Sequence, residues 1–159
     1  VRWAARRGVT LRPLAIDRIP TAARIASMAG VPAIAGCGGA LPLRDRSVDL
    51  VLVSQVAHHL DTDSILALFA SCSRVARRGV VISDLRPSVL FGQGFRLAGR
   101  ALRLHVTTIN DGVTSLARGF TPARLAALAT AAARGDRSGT VQVAARPLSR
   151  VVAWWRTDR

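Results

Sequence analysis

The chain contains no lysine. Its formal charge of +14 rests on 23 cationic residues, every one of them arginine, in a sequence otherwise rich in alanine, valine, leucine and glycine. That is the mark of a GC-rich genome's codon usage. No run of five or more like charges occurs, and aromatic residues make up only 4% of the chain. The basic–aromatic interleaving that binds single strands is therefore missing, and no specific nucleic-acid partner is expected. Cysteine is scarce: Cys37 and Cys72 have no paired spacing, which excludes a disulfide framework and a metal knuckle, and no metal is expected. Long hydrophobic runs are absent too. Half of the residues are hydrophobic, yet no stretch approaches the roughly 20 residues of a membrane span. Arg2, Arg6 and Arg7 are not followed by the apolar segment of a signal peptide, so a cytoplasmic protein is the default. At 159 residues, one domain with a proper core is expected.

What is present is an alternation of apolar strands and amphipathic helices. Residues 2–8 read as the end of a helix stopped by Gly8, and Val9–Ile16 as a strand ending at Asp17. Pro20 opens a helix that Gly30 terminates, and Val31–Ala35 is a second short strand. Leu50–Val53 is an unbroken apolar run, and Ser54 and Gln55 stand where it should leave the core. Such a run reads as a strand buried on both faces, which implies a parallel sheet covered by helices. In these sheets ligands bind beyond the carboxyl ends of the strands, which puts Ser54–His59 where chemistry is expected. Asp61 or Asp63 caps the next helix, closed by Arg77, Arg78 and Gly79, and Val80–Ser83 is another buried strand with Asp84 just past its end. Ser88–His105 reads as one helix with Phe91, Phe95, Ala98, Leu102 and His105 on a face and Arg96, Arg100 and Arg103 on another. Thr121-Pro122 starts a helix running to Gly135, Arg134–Thr140 is a connector, and Val141–Ala145 and Arg150–Trp155 form an antiparallel pair. The fold class is α/β, mostly parallel, with an antiparallel C-terminal hairpin.

Gly36-Cys37-Gly38-Gly39 after a strand invites a phosphate-loop reading. A phosphate loop must open a helix so that backbone N–H groups point at the anion. Here a polar turn and the next strand follow within about ten residues, too few for a helix of ordinary length, so that reading is rejected. Asp17 at a strand tip could accept hydrogen bonds from both hydroxyls of a ribose, although strands also end in Asp for turn reasons.

The order and spacing of these elements resemble class I S-adenosylmethionine-dependent methyltransferases, especially small-molecule enzymes similar to those of ubiquinone and menaquinone biosynthesis. The residues that carry the resemblance are Ala15–Pro20, Gly38–Leu43, Asp45–Val51, Ser54–Leu60 and Val80–Leu85. It continues more loosely through Asp111-Gly112, Ser115 and Arg118–Pro122. The resemblance implies a Rossmann-like sheet, S-adenosylmethionine as cofactor and a small, hydrophobic or aromatic acceptor. It also implies a role for each position: Asp17 on the ribose hydroxyls with Arg18 beside it, Gly39, Ala40 and Leu41 around the adenine, and Ser54, Gln55 and Val56 at the methionine end. His59 would be the catalytic base or a polar wall of the acceptor pocket; the plainer reading is a helix-start histidine packed on the sheet edge. The Arg96/Arg100/Arg103 face is a solvated surface, or a lid that touches an anionic substrate or makes a peripheral membrane contact.

The chain departs from the family pattern in three respects. Gly39 stands where an acid usually precedes the alanine of the adenine loop, and Arg124 stands where a capping glutamate is common. The family's first strand and its Gly-rich loop have no counterpart, so residues 1–85 would be the cofactor side and 86–159 the substrate side of an N-terminally incomplete domain. Val1 would suit a misplaced GTG start or a shortened gene. Without the first strand, those ending at Asp17 and Ser54 should be left unpaired or pair with each other. The alternative to an active enzyme is a non-catalytic remnant or a partner-dependent binding module.

Overall fold

A computed structural model describes residues 2–133 and 139–157. The expected connector falls largely on residues 134–138, and with Gly135 it lies outside the described residues. The chain forms two compact units, residues 1–42 and 43–159.

In the first unit, α1 (Arg2–Ala5) ends before Gly8, whose φ of 71° is open to glycine without strain. β1 (Ala15–Asp17) pairs in parallel with β2 (Ala33–Ala35), and α2 (Pro20–Met28) joins them. Pro20 lies at the first turn of α2, where its missing N–H costs nothing, and Gly30 (φ 82°) ends the helix. Both strands are shorter than the expected Val9–Ile16 and Val31–Ala35. The ladder begins only at Ala15, whose N–H donates to Pro32 O, because Pro13 and Pro32 have no N–H to offer.

In the second unit, β3 (Val48–Ser54), α3 (Thr62–Val75) and β4 (Ala76–Leu85) form a parallel βαβ element. Asp61 is the cap of α3: its Oδ1 accepts from Ser64 N at 2.8 Å. β5 (Gln142–Arg146) and β6 (Arg150–Arg156) complete a four-stranded sheet in the order β3-β4-β6-β5. β6 is antiparallel to both neighbours, so β5 runs with β3 and β4. The sheet is thus mostly parallel with an antiparallel C-terminal hairpin.

Arg77, Arg78 and Gly79 belong to β4 and do not close α3, a correction to the expected boundary. Gly79 sits in the middle of the sheet between Leu50 and Arg156. A Cβ there would lie 2.8 Å from the backbone oxygen of Trp155, so the glycine permits close strand approach.

Side chains alternate across the sheet. Val53, Val80, Ile82, Val151, Ala153 and Trp155 are buried on one face, under α3 and α6 (Pro122–Ala133). There Phe69 and Trp155 pack at 5.9 Å, and Trp155 Nε1 donates to Ser73 Oγ at 3.0 Å, satisfying the buried indole. Leu50 and Leu52, of opposite parity on β3, are 63% and 69% exposed. β3 is an edge strand, and β1 and β3 lie in different sheets.

The expected helix Ser88–His105 is two helices. α4 (Val89–Ala101) is capped by Ser88, whose Oγ accepts from Phe91 N, and it ends where Arg103 turns to φ 53°. His105 then caps α5 (Val106–Ala117), which contains Asp111, Gly112 and Ser115. The two pack closely because both contacts involve glycine: Gly99 faces Ile109, and Gly112 faces the Phe95 ring. The packed side of α4 therefore includes Phe95 and Gly99; of the expected face Phe95 takes part, while Phe91, Ala98, Leu102 and His105 are exposed.

Candidate functional site

The parallel pairing of β3 and β4 ends with Ser54 opposite Ser83, and β4 runs on to Leu85. Gln55 follows in the left-handed region at φ 56°, its N–H still donating to Ser83 O at 2.9 Å. For a residue with a Cβ that conformation costs on the order of 1 kcal/mol, and surrounding structure must hold it. The next residues form a 3₁₀ turn, Ala57–His59.

Asp84 holds that turn. Val80, Ile82 and Asp84 share one parity on β4, so the carboxylate lies on the buried face, with 0% exposure. A buried carboxylate needs donors. Its Oδ2 accepts from Ala57 N at 2.9 Å, and its Oδ1 from His58 Nδ1 at 2.6 Å and Leu85 N at 2.7 Å. A carboxylate offers only acceptors, so Nδ1 of His58 carries the proton in this bond. His58 is buried at 6% exposure, whereas His59 is exposed, with the two rings 4.0 Å apart and tilted by 41°. Nearby, Arg150 Nη2 donates to Ser83 Oγ at 2.9 Å.

The structure therefore brings Ser54, Gln55, Val56 and His59 onto one sheet edge, all exposed; it adds Asp84, and it gives a partner to His58, which lies within the expected Ser54–His59 stretch without an assigned role. A signal was available. An acid at even spacing after Val80 and Ile82 points to the core, and a core acid has partners.

In the first unit, Asp17 stands exposed at the carboxyl end of β1, its Oδ1 accepting from Ile19 N at 2.8 Å. Gly36 N donates to Asp17 O at 2.9 Å, and Ala40 N to Cys37 O at 3.1 Å, closing a tight turn over Gly38 and Gly39. A Cβ at Gly36 would lie 2.8 Å from Pro42 Cγ, so the loop needs glycine there for space. No helix follows the turn before β3, in keeping with the rejection of a phosphate loop. Arg18, Gly39 and Ala40 are exposed, and Leu41 is buried. Among the described residues no cluster of His, Cys, Asp or Glu could hold a metal, and no helix is long and apolar enough to cross a membrane.

Residues 1–83, just over half of the chain, match a family described as a methyltransferase domain. The chain belongs to that family. It is a class I methyltransferase domain with a Rossmann-like α/β fold, and the cofactor of the family is S-adenosylmethionine. Among solved structures, a methyltransferase from Thermotoga maritima, described as a possible histamine N-methyltransferase, is 16% identical with a TM-score of 0.62; the match covers 99% of this chain and 77% of that one. Human N-acetylserotonin methyltransferase in complex with S-adenosylmethionine is 14% identical with a TM-score of 0.62, over 98% of this chain and 43% of that one. A methyltransferase from Aquifex aeolicus is 16% identical with a TM-score of 0.60, over 91% and 68%. At these identities the likeness is one of fold. The chain spans 43% of the length of some solved structures it matches, human N-acetylserotonin methyltransferase among them. No curated protein matches the chain.

Each unit offers one feature with chemistry suited to S-adenosylmethionine. An exposed carboxylate at a parallel strand end suits a pair of ribose hydroxyls, and a strand exit held in a strained turn by a buried acid suits a rigid ligand edge.

Proposed function

We propose that this methyltransferase transfers a methyl group from S-adenosylmethionine to a small, apolar or aromatic acceptor. The observation that carries the reading is the family match over residues 1–83, a span that contains every residue assigned to the cofactor. In this reading Asp17 accepts the ribose hydroxyls beside Arg18, Gly39, Ala40 and Leu41 wrap the adenine, and Ser54, Gln55 and Val56 line the methionine end. Bound S-adenosylmethionine supplies an electrophilic methyl on its sulfonium. The chain's own residues align the acceptor, exclude water and take its proton. His59 suits the role of proton acceptor, because it is exposed and sits on a turn that Asp84 pins from beneath. Residues 1–85 form the cofactor side of one domain and 86–159 its substrate side. Two matched proteins are named for the small ring compounds histamine and N-acetylserotonin, which supports an acceptor of that size. A peripheral membrane contact belongs to the same reading, since apolar acceptors partition into lipid.

One observation favours a second reading. β3 has a strand partner on one side only, and its Leu50 and Leu52 are exposed, as in a module completed by a partner. Calorimetry with S-adenosylmethionine separates the two. The enzyme reading expects saturable binding that Asp17→Ala weakens about tenfold, the worth of a charge-assisted hydrogen bond, with only the small drop in thermal midpoint that follows from losing the exposed hydrogen bond from Ile19 N. An absence of heat from the folded chain would overturn the reading and favour the partner-dependent module, and equal binding by D17A would overturn the role given to Asp17.

A further inference from the structure

α4 has two apolar sides. Phe95 and Gly99 are on the side packed on α5. Leu90, Gly94, Leu97 and Ala101, spaced by 4, 3 and 4 residues, form a separate stripe that the described residues leave open: Leu90 is 81% exposed and Leu97 is 72% exposed. Leu102 and Val106 extend it across the turn into α5, at 72% and 62% exposure. Arg96 and Arg100, one turn apart, border the stripe, and both are exposed, as is Arg103. Arg96 and Arg100 line a cleft of about 420 Å³ with Leu104, Val106, Ile109 and Asn110.

We infer that the α4–α5 hairpin lies on an anionic lipid surface, with the Leu90–Ala101 stripe in the headgroup–acyl boundary and Arg96 and Arg100 at the phosphates. Charge decides the occupant. Between Asp84 and Asp111 the chain has no acidic residue, while Arg86, Arg96, Arg100 and Arg103 fall in that interval. A second copy docked on the same stripe would set these arginines against their equivalents with no carboxylate on the stripe to neutralise them. Nucleic acid would meet the arginines but would leave the leucines in water. An anionic bilayer meets both: acyl chains take the leucines, and long arginine side chains reach up to the phosphates. The cleft is wide enough to take one phosphate-bearing headgroup between two guanidinium groups and the Asn110 amide. Gly99 and Gly112 matter here because they hold α4 and α5 tightly together, which leaves the stripe facing outward.

The inference deepens the peripheral contact in the acceptor reading and rests on that reading only for its purpose. Its test uses no cofactor, so the two fail separately. The full chain is sedimented with vesicles of phosphatidylcholine, with and without phosphatidylserine. Binding should require phosphatidylserine. Arg96→Gln with Arg100→Gln should weaken it roughly 30-fold, at about 1 kcal/mol for each arginine at a charged surface. Leu90→Gln with Leu97→Gln should abolish it with unchanged circular dichroism, since both side chains are already exposed. Arg77→Gln with Arg78→Gln, away from the hairpin, should bind as the parent does. Equal binding to both vesicle types, parent-like binding by either hairpin variant, or equal loss in the Arg77/Arg78 control would overturn the inference, the last showing adsorption by net charge alone. A dimer that the leucine variant dissolves would overturn it in favour of a second copy.

Discussion

Replacing Asp84 by asparagine puts an NH₂ group where one carboxylate oxygen now accepts. All three neighbours of that carboxylate are donors: Ala57 N–H at Oδ2, and His58 Nδ1–H and Leu85 N–H at Oδ1. If the amide oxygen takes the Oδ1 place, its NH₂ opposes Ala57 N–H. If it takes the Oδ2 place, His58 can change tautomer and accept, but Leu85 N–H cannot. One backbone donor is left unpaired in either orientation, at a site with no solvent exposure. An unsatisfied buried donor costs about 1–3 kcal/mol, and the lost bonds to a charged acceptor add to it, so D84N should destabilise by about 3 kcal/mol. Asp84→Ala, which strands all three donors, should cost more, about 3–5 kcal/mol. In a domain of this size 3 kcal/mol lowers the thermal midpoint by roughly 10 °C. Urea denaturation followed by circular dichroism measures the difference directly. Asp84 also sets the turn after Gln55, so any affinity for S-adenosylmethionine should fall below the unfolding range as well. A D84N protein within about 0.5 kcal/mol of the parent would refute the reasoning, because it would mean that water reaches these donors or that the turn is held by something else.

Two further predictions concern titrating groups. Burial pushes the Cys72 thiol up to about 12, whereas Cys37 is exposed, so a disulfide reagent near neutral pH should modify Cys37 rapidly and Cys72 only on unfolding; fast native labelling of both would contradict the packing of α3. The Asp61 carboxyl is held below its ordinary 3.8 by the hydrogen bond from Ser64 N, and further by the Ser64 hydroxyl. A lowered folded value means that its stabilising contribution is complete above the unfolded value and is lost as pH falls through the folded one, so the cap on α3 should persist at pH 3.8 and disappear below it. Following the Asp61 resonance by NMR through an acid titration checks this, and a midpoint at or above 3.8 would contradict the cap.

The candidate site was legible where its residues follow a local rule. Ser54 and Gln55 stand out because polar residues end an apolar run, and Asp17 because it ends another. The structure leaves all three at strand ends. His58 was harder to read. Its partner lies 26 residues away on β4, and two adjacent histidines give no local sign of which is buried. The helix from Ser88 was misread for a similar reason. Periodicity continues through Leu102 and His105, but the chain turns at Arg103 and doubles back because Gly99 and Gly112 allow two helices to meet. Single glycines inside a helical pattern mark such close approach without naming the partner.

Local chemistry in the sequence determined the element types and most of their starts. Pro20 opens α2, Thr121 Oγ1 accepts from Arg124 N at the head of α6, Asp61 caps α3, and the apolar runs at Leu50 and Val80 are strands. These signals act within about four residues, the range over which a side chain reaches the backbone of its own turn. Tertiary structure decided what depends on distant partners: how far β4 extends, which requires Gly79 to lie against Trp155; which histidine is held by Asp84; and which apolar side of α4 is covered. Pairing across the sheet and packing between helices join residues far apart in the chain, so no window of sequence contains both halves of the interaction.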